Sequence, residues 1–314
     1  MLGAGVFAAF GPAAAAAGSG LLVAVTVAGL VAYANATSSA QLAARYPESG
    51  GAYVYGRRCL GEVWGFLAGW GFVVGKTASC AAMALTVGAY AWPGNARGVA
   101  AVAVVAFTVV NYFGVSKTAG LTRVLVALTL AALAAVVAGS LTSPTAGVDQ
   151  LTDWFPHGPF GVLRAAGLLF FAFAGYARIA TLGEEVRKPA STIPRAIPLA
   201  LGIVVVIYTA VGASALAAVG PTALARSPTP LATAAGSGSW LDPVVGFGGV
   251  AAAAGVVLSL MAGLGRTTLA MARNHELPHG LAAVHPRYRV PHRAELVLGA
   301  LVLGLVLVLD LRTS

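Results

Sequence analysis

The chain has 314 residues, of which 58% are hydrophobic and only 9% charged, with a mean hydropathy of +0.85 and a formal net charge of +9. A water-soluble domain carries about a quarter charged residues, so a soluble fold is excluded and lipid must solvate most of the surface. The positive charge does not mark a nucleic-acid partner, because the basic residues sit between apolar runs, where they set membrane orientation.

Spanning the hydrocarbon core takes roughly 20 apolar residues. Residues 2–17 form a short apolar piece broken at Gly11-Pro12, which reads as the outer half of a helix, and no basic leader or cleavage site marks a signal peptide. Eight stretches of spanning length or near it follow, at 20–44, 63–92, 98–115, 119–141, 160–183, 196–219, 243–272 and 294–311. No polar domain separates them, so residues 1–314 are read as one membrane domain. Arg45, Arg57 and Arg58 share a side with Lys117 and Arg123, with Arg187, Lys188 and Arg195, and with Arg266, Arg273, Arg287, Arg289 and Arg293. The opposite side holds Arg97, Arg226 and Arg312. Positive loops stay in the cytoplasm, which puts the loops near 45–61, 184–195 and 273–293 on that side of the cell membrane. The loop at 142–159 has Asp149 and Asp153 but no Lys or Arg, as an outward loop should.

One stretch carries more than topology. Phe170-Phe171-Ala172-Phe173-Ala174-Gly175-Tyr176 starts as an apolar helix, breaks at Ala174-Gly175, and runs into the charged, proline-bounded segment from Gly183-Glu184-Glu185 to Arg195. A break at membrane depth frees backbone amides and carbonyls, which are tolerated there only if they line a cavity or bind something. Gly3-Ala4-Gly5-Val6-Phe7 makes a second such interruption, and paired breaks in two halves point to the site of an inverted-repeat transporter. Close helix packing through the glycines is the competing reading.

These residues bring a family with them. Gly3-Ala4-Gly5-Val6-Phe7 resembles the first-helix signature of the amino acid–polyamine–organocation superfamily. Tyr46-Pro47-Glu48-Ser49-Gly50-Gly51-Ala52-Tyr53, with Gly61-Glu62 and Gly65-Phe66, resembles its loop between the second and third helices. The stretch from Phe170 to Pro189 resembles its sixth helix, and Ala272-Arg273-Asn274-His275-Glu276-Leu277-Pro278, with Pro291, its segment after the eighth. The resemblance implies an all-α polytopic membrane transporter with a five-plus-five inverted repeat, residues 1–141 forming the first repeat and 160–314 an incomplete second. Against the family pattern the chain starts at the break of the first helix and stops after the ninth, so it is expected to be incomplete at both ends.

The resemblance further implies secondary transport of amino acids or related amines. Substrate would meet Gly3, Ala4, Gly5 and Val6 on the first helix and Phe173, Ala174, Gly175 and Tyr176 on the sixth, backbone groups doing the polar work. Some members carry a lysine in the fifth helix where relatives bind sodium; here Thr129 falls near that position. A sodium site between the first and eighth helices would want a hydroxyl such as Ser259, so proton and sodium both stand as coupling ions, with no other cofactor expected. Neutral amino acids fit better than polyamines, since the spans hold no Asp or Glu except near their ends.

Lys76 lies well inside the third span. A buried ammonium is costly there and demands an interior position with a partner, so Lys76 reads as a proton-coupling group or fixed charge, or else as a structural or snorkelling lysine. Arg178 with Glu184 and Glu185 reads as an inner gate or as an interfacial charge cluster. The two cysteines, Cys59 and Cys80, and the five histidines have no disulfide, metal or catalytic spacing. No nucleophile with a nearby base sits at membrane depth, so an enzyme is not expected. The partners expected are a small-molecule substrate and the bilayer, with oligomeric state open. A transport-inactive sensor, partner subunit or remnant is the alternative.

Overall fold

A computed structural model describes residues 2–181, 186, 188–227, 229–236 and 241–308. Among the described residues twelve helices run in order as α1 Gly5–Ala17, α2 Leu21–Arg45, α3 Ala52–Leu60, α4 Glu62–Ala91, α5 Ala96–Tyr112, α6 Val115–Leu141, α7 Gly158–Phe173, α8 Tyr176–Thr181, α9 Pro189–Arg226, α10 Pro230–Ala234, α11 Leu241–Arg273 and α12 His292–Val308. Short 3₁₀ turns join several of them, and no strand occurs among the described residues.

Helices dominate because lipid cannot hydrogen-bond a bare backbone. Among the described residues five helical stretches are long and apolar enough to cross a membrane, and α5 and α7 are shorter apolar helices. Several threonine side chains inside these spans bond back onto their own helix. Thr77 donates to the Val73 carbonyl at 2.6 Å, Thr86 to Ala82 at 2.9 Å and Thr108 to Val104 at 2.7 Å.

The expected spans fall on observed helices, with three differences, the first being that α1 runs unbroken through Gly11-Pro12, with Pro12 inside the helix, where the sequence reads a break. The loop after α2 contains a helix, α3, ending at Gly61, whose φ of 106° suits glycine alone. Residues 189–195, read as loop, belong to α9, because Pro189 takes a first-turn position where its missing N–H costs nothing. Arg266, within the expected span 243–272, lies inside α11 at 3% exposure.

The chain divides into two compact units. The first comprises Met1–Asn35, Val126–Gly175 and Pro198–Ala252. Within it α1 and α7 pack antiparallel. A Cβ at Gly5 would stand 2.6 Å from that of Ala172, and at the other end Gly161 lies against the Ala16 carbonyl. Such contact needs small residues, as in other lipid-embedded helix pairs. Gly248 on α11 lies equally close to Ala132 on α6. Ser140 ties α6 to α10 by donating to the Ala234 carbonyl at 3.1 Å.

The second unit comprises Ala36–Leu125, Tyr176–Ile197 and Ala253–Ser314. Its core joins α4, α5, α11 and α12 through Cys80, Leu85, Val104, Met261, Leu298 and Val302. Arg266 and Glu295 form an ion pair at 3.2 Å inside it, with side chains 4% and 0% exposed. The helix α3 folds back on α4 at Gly56 and Gly65, where the two backbones nearly touch. His285 and His292 pack edge-on to Tyr112, with ring centroids 5.4 and 6.2 Å away.

Candidate functional site

The break expected at Ala174-Gly175 is present: α7 ends at Phe173 and α8 begins at Tyr176. The first turn of α1 closes from the Val6 and Phe7 amides onto the carbonyls of Gly3 and Ala4. The N–H groups at the start of any helix, and the last carbonyls, have no partner within it. The antiparallel packing at Gly5 and Ala172 therefore sets the amide end of α1 beside the carbonyl end of α7. A helix carries about half a positive charge at its N-terminus and half a negative charge at its C-terminus. Two opposite partial charges thus stand side by side within the first unit.

Tyr208 of α9, unmarked in the sequence, completes this arrangement. It is fully buried and donates to the Ala172 carbonyl at 3.3 Å, with the Gly3 backbone amide beside the same hydroxyl. Its ring packs on Phe173, centroids 5.0 Å apart. One side chain therefore joins the start of α1 to the end of α7. The only sequence signal for it is a polar tip in an otherwise apolar run of α9.

The other expected residues fall as follows. Gly3, Ala4 and Val6 are buried, Gly5 is partly exposed, and Phe173 is buried with Ala174 and Gly175 half-buried at the break. Tyr176 is 8% exposed and opens the second unit. Lys76 is half-buried at the middle of α4, one turn before the fully buried Cys80. Thr129 is buried on α6 in the first unit, and Ser259 is half-buried on α11 in the second. Arg178 belongs to α8, but its side chain lies outside the described part, as do Glu184 and Glu185 altogether. Among the described residues no group of His, Cys, Asp and Glu is placed to hold a metal.

The amino acid permease family model matches residues 1–312. The chain belongs to the amino acid permease family. An uncharacterized transporter of Mycobacterium tuberculosis is 60% identical to this permease over 314 residues, covering 99% of the chain and 71% of the relative. A branched-chain amino acid permease of Bacillus subtilis is 27% identical, covering 99% and 72%. A vacuolar cationic amino acid transporter of Arabidopsis thaliana is also 27% identical, covering 98% and 56%. Family membership makes the chain a multi-pass membrane transporter of the amino acid class rather than an enzyme.

Proposed function

We propose that this permease carries neutral amino acids by alternating access, holding them at the breaks before α1 and after α7. The observation that carries the reading is the pairing of the α1 N-terminus with the α7 C-terminus at Gly5 and Ala172. An amino acid is a zwitterion. Its carboxylate suits the free amides of α1, and its ammonium suits the free carbonyls of α7. Gly3, Ala4, Gly5 and Val6 would supply the first contact and Phe173, Ala174 and Gly175 the second.

A neutral substrate is favoured because Glu295, the carboxylate buried in α12, is committed to Arg266. The B. subtilis relative named for branched-chain amino acids accords with this reading, and the Arabidopsis relative named for cationic ones marks the competing class. The basic loops would face the cytoplasm across the cell membrane. Lys76 would couple transport to protons; sodium coupling would instead draw on hydroxyls such as Thr129 and Ser259. Arg178, Glu184 and Glu185 would form the inner gate.

The test is uptake of labelled neutral, cationic and anionic amino acids into proteoliposomes. Neutral amino acids should accumulate, and Gly175→Trp, which fills the break, should abolish uptake while the protein stays folded. No uptake of any panel member by well-folded protein would replace this reading with a transport-inactive sensor.

A further inference from the structure

A cluster of cations stands within the second unit where α5 ends and α12 begins. The two helices run antiparallel, with Gly299 against the Thr108 side chain and the His292 ring edge-on to Tyr112 at 6.2 Å. Each helix shows an exposed apolar stripe at helical spacing: Val102, Val105 and Val109 on α5, and Leu296, Val297 and Leu301 on α12. In a membrane-spanning chain such stripes face lipid. Arg293 precedes Leu296 and Val297 by three and four residues, so it crowns the α12 stripe on the same face. Side chains on a helix tilt toward its N-terminus, which carries this guanidinium out of the apolar layer. The α5 stripe ends at the exposed Phe113. Tyr288 packs edge-on to that ring at 5.4 Å, and the Arg287 guanidinium lies over Tyr288 at 5.6 Å.

A tight turn holds these cations at the helix mouth. His285 donates its amide to the Val290 carbonyl and accepts the Arg289 amide on its own carbonyl, both at 2.8 Å. Its Nδ1 accepts the Arg287 and Tyr288 amides at 3.2 and 3.3 Å. Arg287, Arg289 and Arg293 are all exposed, and Arg293 reaches the Gly280 carbonyl at 3.5 Å. Among the described residues no carboxylate neutralises them. Those of the second unit pair elsewhere: Glu48 with Arg58, Glu62 and Glu276 with Arg57, and Glu295 with Arg266. The N-terminus of α12 adds its own partial positive charge. We infer that this mouth binds an anionic phospholipid, its phosphate at Arg287 and Arg293 and its acyl chains along the two apolar stripes, with Arg289 adding charge. Cations and stripes together select that occupant. A soluble anion would leave the stripes unused, and a zwitterionic lipid would bring its own ammonium against the arginines. Cationic groups next to a spanning helix attract anionic headgroups in the same way. The site is independent of which cargo the permease carries.

Native mass spectrometry of the full chain in detergent, titrated with phosphatidylglycerol or with phosphatidylcholine of the same acyl chains, tests it. Phosphatidylglycerol should bind at least tenfold more tightly. Arg287→Gln and Arg293→Gln should each weaken it about fivefold, and together about twenty-five-fold, the factor expected for cations near a membrane surface. Arg293→Lys, which keeps the charge, should retain most of the affinity. All three positions are exposed, so the melting temperature without added lipid should match wild type. Arg226→Gln removes an exposed cation from the first unit and should leave the affinity unchanged. Equal affinity for the two lipids, or unchanged phosphatidylglycerol binding in the Arg287→Gln, Arg293→Gln double variant, would overturn the site. A loss in Arg226→Gln as large as in Arg293→Gln would also overturn it, leaving attraction by net charge alone. Displacement of the lipid by an equal concentration of inorganic phosphate would assign the arginines to a soluble anion instead.

Discussion

At the scale of single residues, the hydroxyl of Tyr208 and the ion pair of Arg266 bear the most weight. Tyr208→Phe keeps the ring on Phe173 but leaves the Ala172 carbonyl buried and unmet. A loss of about 1–3 kcal/mol is expected, read as a lower melting temperature, together with weaker substrate affinity because the start of α1 and the end of α7 lose their shared anchor. An unchanged affinity would show that the hydroxyl only supports packing. For the Arg266–Glu295 pair, Arg266→Met strands a buried carboxylate and should cost about 3–5 kcal/mol. The double change Arg266→Met with Glu295→Leu should cost less than either single change in thermal melts, since no charge is then left without its partner. Neither residue was readable from sequence as it stands in the fold. Arg266 falls near the end of an expected span, but its partner Glu295 belongs to another helix, which the sequence does not reveal.

At the scale of elements, the periodicity and length of apolar runs were enough to locate the spanning helices, because lipid leaves the backbone little alternative. The break at Ala174-Gly175 was legible for the same reason: it interrupts a run that otherwise has no cause to stop. What the sequence hides is contact between distant segments. The short helix α3 rests on its crossing with α4 at Gly56 and Gly65, and on Arg57, which reaches Glu276 across 219 positions of chain. Glycines announce that two backbones are close but not which two. The α1–α7 contact shows the same, and it yields a prediction. In Gly5→Val the new side chain collides with Ala172, which should cost about 1–3 kcal/mol by overpacking and should spread the two helix ends apart. Uptake should fall along with the melting temperature, and Ala172→Gly in the same chain should restore part of both. Failure of that second change to rescue would mean the contact is not the one that matters.

At the scale of the whole molecule, the coupling role proposed for Lys76 can be tested directly. Replacing it with methionine should leave exchange of amino acids across the membrane intact but abolish accumulation driven by a pH gradient. Equal gradient-driven accumulation in Lys76→Met would assign coupling elsewhere, with Thr129 and Ser259 next to be changed under a sodium gradient. The relatives named for branched-chain and for cationic amino acids show that this architecture accommodates more than one side-chain class. If the proposed site holds the carboxylate and ammonium through backbone groups, which every amino acid shares, the choice between classes would come from side chains around the break.

The first unit draws on Met1–Asn35, Val126–Gly175 and Pro198–Ala252, and this ordering along the chain governs how the protein can be made. A ribosome adding about 5–20 residues per second releases Gly5 roughly ten to thirty seconds before Ala172, the residue it must close against. Throughout that interval the small-residue face of α1 has no partner of its own. A nascent permease is therefore most exposed to membrane proteases and insertion chaperones early in synthesis. Destabilising changes at Gly5 or Ala172 should accordingly lower its abundance in cells more than its activity per folded molecule.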